Sequence, residues 1–136
     1  MVTEISASFD DTITRYLYSR QNFSSHGVKA NAFIDTRNPS ELSVCVITGL
    51  SEFEIWDIAS VIRTDKAVKA RADLCVSDIH DISIKQKSFL QVLIDGVPHP
   101  RHANIKFPPL QESVRRAIAA DLADRSGVPV LAVGVD

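Results

Sequence analysis

The sequence predicts an α+β fold: a single-layer, mostly antiparallel or mixed sheet packed against two amphipathic helices, plus a short N-terminal helix. Three observations carry this reading. Residues 42–48 (LSVCVIT) form an apolar, β-branched run ended by Gly49, the pattern of a buried strand. Directly after it, Ser51 and Glu54 stand at the S-x-x-E spacing of a capping box, ahead of an apolar stripe with helical period. Strand-like and helix-like segments then follow without regular β-α-β alternation, which argues against a doubly wound parallel sheet.

Taken in order, Asp10 or Asp11 is placed to cap a short helix over about 11–20, with Ile13, Tyr16 and Leu17 on one side. Residues 19–41 are polar, interrupted only by Phe23, Val28 and the apolar 32–34. A loop this long within a small domain is usually functional or partly disordered. The helix at 51–63 presents Trp56, Ala59 and Ile62 with Phe53 or Ile55, and Glu52, Glu54 and Asp57 in its first turns complement the macrodipole. Residues 70–76 alternate, with Ala72, Leu74 and Val76 opposite Arg71 and Asp73, as in a half-buried strand. Residues 77–81 read as a bend, and 82–94 as one strand or a pair broken near Lys87. Asp95-Gly96 is a turn signal.

The stretch 99–109 (HPRHANIKFPP) reads as a proline-stiffened entry into the last helix, with Pro109 in the first helical position, where its missing N–H costs nothing. Leu110, Val114, Ala117, Ile118 and Leu122 then share a face, Arg115 and Arg116 fall on the solvent side, and Gly127 stops the helix. The tail 128–136 is apolar until its last residue. It is expected to pair within the sheet; the alternative is a homo-oligomer contact with a second copy.

The length of 136 residues fits one domain spanning 1–136, burying roughly two thirds of its unfolded surface. A hydrophobic content of 45% with 24% charged residues is that of an ordinary globular domain. The net charge of −2 gives no global attraction to nucleic acid or to an anionic membrane, so binding there needs a local basic patch. There is no apolar run long enough for a membrane span and no signal-peptide pattern. Two cysteines, Cys45 and Cys75, lie in apolar runs and read as buried thiols rather than a disulfide. The expected location is cytoplasmic.

Phosphate-loop, dinucleotide-binding, zinc-protease, thiol-redox and nucleophile-elbow motifs are all absent, and five glycines in the chain leave little room for variants. No cofactor is expected. His99-x-x-His102 has a proline between its histidines and lacks a third ligand at known spacing, so no metal is expected either. Ser77 to Asp81 gathers a serine, a histidine and two acids. Triads are assembled by the fold rather than along one segment, so this reads as a hydrogen-bonded surface turn.

What remains is two acid-free segments. Residues 15–29 supply Arg15, Tyr16, Ser19, Arg20, His26 and Lys29; residues 98–106 supply Arg101, His102, Asn104 and Lys106. Guanidinium forks with neutral donors suit phosphate. The expected function is therefore binding of a phosphate-bearing ligand, a nucleotide or nucleic acid, through Arg15, Tyr16, Ser19, Arg20, Lys29, Arg101 and Asn104. The runner-up is an enzyme acting on a nucleotide or phosphodiester, with His102 or His26 as acid or base. The third is a non-catalytic interaction or assembly module.

Overall fold

The computed structural model describes residues 4–134. Among them, seven strands form one antiparallel sheet in the order β1-β7-β8-β5-β2-β6-β9. These are β1 (Ile5–Ser6), β2 (Thr12–Leu17), β5 (Glu41–Val46), β6 (Ala70–Cys75), β7 (Gln91–Ile94), β8 (His102–Lys106) and β9 (Val130–Leu131). A separate small hairpin pairs β3 (Phe23–Ser24) with β4 (Gly27–Val28). Three helices complete the fold: α1 (Glu52–Ile62), α2 (Val76–Lys85) and α3 (Glu112–Ser126).

Side chains alternate across each strand, and the two resulting faces carry different cores. One face presents Ile13, Leu17, Leu42, Val44, Val46, Ala72, Leu74, Val92 and Ile105 to α2 and α3 through Ile79, Ile82, Ile118 and Leu122. The other presents Tyr16, Cys45 and Ile47 to Ile55, Ile58 and Ala59 of α1. The sheet is one layer with helices on both sides, an arrangement finer than the expected sheet packed against two helices. Helix α1 begins as the sequence predicts. Ser51 Oγ accepts from the Glu54 amide at 3.2 Å, and Glu54 Oε1 accepts from the Ser51 amide at 3.0 Å.

The short N-terminal helix is not formed; residues 12–17 are the strand β2. Ile13 and Leu17 do lie on one face, but so does every second residue of a strand. The charged Arg15 between them hides the period of two. The bend at 77–81 and the strand at 82–86 are also corrected. This stretch is α2, in which Ile79 and Ile82 are buried one turn apart and Ile84 stays exposed. Residues 102–106 form a strand rather than an entry loop, and α3 starts at Glu112, after Pro109.

Arg115 is buried rather than solvent-facing. Its guanidinium lies 3.7 Å over the Phe107 ring, and Nη2 donates to the Phe33 carbonyl at 2.6 Å. Gly127 does stop α3, at φ 68°, a conformation most side chains avoid. The tail pairs in the sheet, with β9 antiparallel to β6; its residues 135 and 136 lie outside the described part of the chain. Cys45 and Cys75 are free thiols. Among the described residues no helix is long and apolar enough to cross a membrane.

Candidate functional site

The site begins where two central strands part. Strand β2 keeps six register pairs with β6, from Thr12↔Cys75 to Leu17↔Ala70. On its other side it pairs with β5 only at Ile13↔Val46 and Thr14↔Cys45. The next positions of that register would set Arg15 against Val44 and Tyr16 against Ser43, and there the strands have separated. Arg15 fills the gap: Nε donates to the Ala32 carbonyl and Nη1 to the Ser43 carbonyl, both at 3.0 Å. Burial pulls its guanidinium below the ordinary value, and the charge of Asp35 opposes this.

A cleft of about 410 Å³ opens at this separation, between the end of α1 and residues 31–37. Four cations, Arg15, Arg37, Arg63 and Lys66, line it against one carboxylate, Asp35. Arg63 is already paired, its Nε lying 2.8 Å from Asp65. Ser19 and Asn22 add hydrogen-bonding groups to the wall, and Ser43 stands on the β5 side. The two tyrosines of the wall are committed elsewhere. Tyr16 Oη donates to the Ile55 carbonyl and Tyr18 Oη to the Ala59 carbonyl, so they moor α1 to the sheet. Burial raises both phenols above their ordinary values, Tyr18 to about 12.

Behind Ser43 runs a hydrogen-bonded relay. Strand β5 pairs with β8 at Ser43↔Asn104 and Cys45↔His102, so Ser43 and His102 are diagonal neighbours on one face. Strand β7 pairs with β8 at Ile94↔Ala103, which carries the next residue, Asp95, to a position opposite His102. The amides of Asp95 and Gly96 both donate to the His102 carbonyl, at 3.2 and 3.1 Å. Gly96 takes φ 71° to do so, a left-handed conformation that glycine adopts without strain.

Side-chain bonds then complete the chain of contacts. His102 Nδ1 lies 2.6 Å from Asp95 Oδ1, and His102 Nε2 lies 2.6 Å from Ser43 Oγ. Asn104 Nδ2 donates to Asp95 Oδ2 at 3.0 Å, and the Val97 amide donates to Asp95 Oδ1 at 3.3 Å. Burial works against the charged form of Asp95, but its bonds to His102, Val97 and Asn104 outweigh that. The carboxyl is held below its ordinary value. An ionised carboxylate only accepts, so the His102 tautomer that fits this pairing carries its proton on Nδ1. In that tautomer Nε2 is the acceptor for the Ser43 hydroxyl proton.

The two acid-free segments are thus joined through a residue of neither. Ser43 takes Arg15 on its carbonyl and His102 on its hydroxyl. Of the residues singled out from sequence, Arg15, Tyr16 and Ser19 line the cleft, while His102 and Asn104 build the relay behind it. The others lie apart from this lining. Arg101 donates to the Thr48 carbonyl at 3.2 Å and lines a shallow groove with His99, Phe53 and Glu54. His26 is exposed on the turn between β3 and β4, Arg20 stands in a 3₁₀ turn (Arg20–Asn22), and exposed Lys29 precedes a second (Ala30–Phe33).

His99 and His102 do not converge on one point. His99 Nδ1 accepts from the Arg101 amide at 3.0 Å, whereas both His102 nitrogens face Asp95 and Ser43. Ser77 to Asp81 serves structure: Asp78 Oδ2 accepts from the Cys75 amide, Asp78 and Asp81 pair with Arg125, and His80 packs edge-on against Phe9. Sequence reasoning passed over Ser43 and Asp95. The available signal was the alternation of His102, Asn104 and Lys106 with Ala103 and Ile105, which marks a strand with one polar face. No family model matches the chain, and no curated protein or solved structure shows significant similarity to it.

Proposed function

We propose that the chain binds a phosphate-bearing small molecule, a nucleotide being the leading class, in the cleft between β2 and β5. The observation that carries this reading is the concentration of Arg15, Arg37, Arg63 and Lys66 around one opening in a chain of net charge −2. Phosphate is the chemistry that such a wall fits. Guanidinium groups present paired donors to two oxygens, and the neutral side chains of Ser19 and Asn22 fill further lone pairs. The wall carries more cations than its one carboxylate and the Asp65 partner of Arg63 balance, which favours an anionic ligand, and the volume suits one small molecule rather than a protein surface.

Arg37 and Lys66 are the clean probes, because both are exposed, whereas Arg15 also holds two backbone carbonyls. Ligand binding to the native state raises the melting temperature. Pyrophosphate and ATP are expected to stabilise the chain, and Arg37→Ala with Lys66→Ala is expected to weaken that effect about 10-fold or more in apparent affinity. Added salt should weaken it as well. Absence of any shift at millimolar ligand, or a shift untouched by the double substitution, rejects this site.

A further inference from the structure

We infer that Ser43 is a nucleophile, activated by His102 and Asp95, and directed at the phosphorus of a phosphate ester bound in the cleft. The inference rests on the cleft reading for its substrate class and on separate observations for its chemistry.

Three features distinguish this constellation from an ordinary polar patch on a sheet. The contacts run in line, carboxylate to imidazole to hydroxyl, with both imidazole nitrogens at 2.6 Å from their partners. The orientation is over-determined, because Asn104 and the Val97 amide fix the carboxylate that fixes the imidazole. The relay also has one end on the cleft: Ser43 lines it, while His102 is buried behind. A hydroxyl is a weak nucleophile until a positioned base takes its proton, and this arrangement supplies the base, its tautomer and its orienting group. Arg15, Arg37 and Lys66 line the same cleft. Cations so placed would face the phosphoryl oxygens and stabilise their charge through the transition state.

The step balances without a further reactant. Ser43 Oγ forms a bond to phosphorus as its proton passes to His102 Nε2; the bond from phosphorus to the leaving oxygen breaks, and that oxygen takes the proton from Nε2. Water then attacks the phosphoserine, gives a proton to Nε2, and Ser43 leaves with it. The sum is hydrolysis of the ester to an alcohol and a phosphate. Asp95 stays ionised throughout. Asn104 is a positioning residue that acts through Asp95.

The test uses the full chain and a fluorophosphonate probe, whose phosphorus loses fluoride to an activated serine, with the labelled residue located by peptide mass spectrometry. Labelling is expected at Ser43, absent in Ser43→Ala, and slowed about 100-fold or more in His102→Gln. Asp95→Asn, with its fold checked by circular dichroism and melting, should slow labelling too. A folded protein whose Ser43 is not labelled, or is labelled equally fast without His102, overturns the inference. Pyrophosphate stabilisation of Ser43→Ala reports on the cleft alone. Labelling without that stabilisation would uphold the nucleophile and remove the phosphate ester as its substrate.

Discussion

Asp95 couples ionisation to folding. Its folded value lies below the ordinary one: burial pushes it up, but the hydrogen bonds from His102, Val97 and Asn104 outweigh that cost. The unfolded chain therefore binds this proton more readily than the folded chain. The stability it contributes is complete above the unfolded value, about 3.9, and drains away as pH falls through the lower folded value. Asp95→Asn should accordingly flatten the dependence of melting temperature on pH below about pH 4. Calorimetric scans of both proteins across that range check this, and equal slopes would remove Asp95 from the acid response. The two thiols offer a second contrast at the same scale. Burial pushes Cys45 up to about 12, so its thiolate is scarce, while Cys75 is only half-buried. Iodoacetamide should modify Cys75 well ahead of Cys45 in the native chain, and both alike in denaturant.

Among the elements, α1 shows what local chemistry can specify by itself. Its capping box is readable from four residues and is present in the structure. Ser51→Ala should cost about 1 kcal/mol, measured by urea unfolding. Two strands escaped sequence reading for different reasons. Arg15 interrupts Ile13 and Leu17 in β2, whereas β8 alternates cleanly, with His102, Asn104 and Lys106 on one face, and is masked by the prolines that bracket it. In α2 the opposite happens. Ile82 and Ile84 imitate a strand's alternation, yet only Ile82 reaches the core. Arg15, Tyr16, Ser19, His102 and Asn104 are visible as donors in acid-free segments. Ser43 is a single hydroxyl within an apolar strand and Asp95 an ordinary turn residue. Their meeting depends on the registers of two strand pairs, one of which spans 59 residues between Ser43 and His102. Composition does not encode that register.

For the whole molecule, protection should follow position in the sheet. The edge strands β1 and β9 are two residues each, short enough to limit edge-to-edge pairing. Strands β8 and β5 are flanked on both sides and carry fully buried residues such as Leu42, Ala103 and Ile105. Hydrogen exchange is expected to be slowest in peptides covering 42–46 and 102–106 and fastest at 5–6 and 130–131. Uniform exchange across the sheet would contradict the strand order.

The parting of β2 from β5 has a mechanical consequence. With two register pairs between them, the sheet has an internal seam: β1, β7, β8 and β5 make one leaf, and β2, β6 and β9 the other. Arg15 belongs to one leaf and Ser43 to the other, and a guanidinium-to-carbonyl bond is a clasp between them. A ligand lodged between Arg15 and Ser43 would touch both leaves at once and tighten the one thinly paired junction in the sheet's interior.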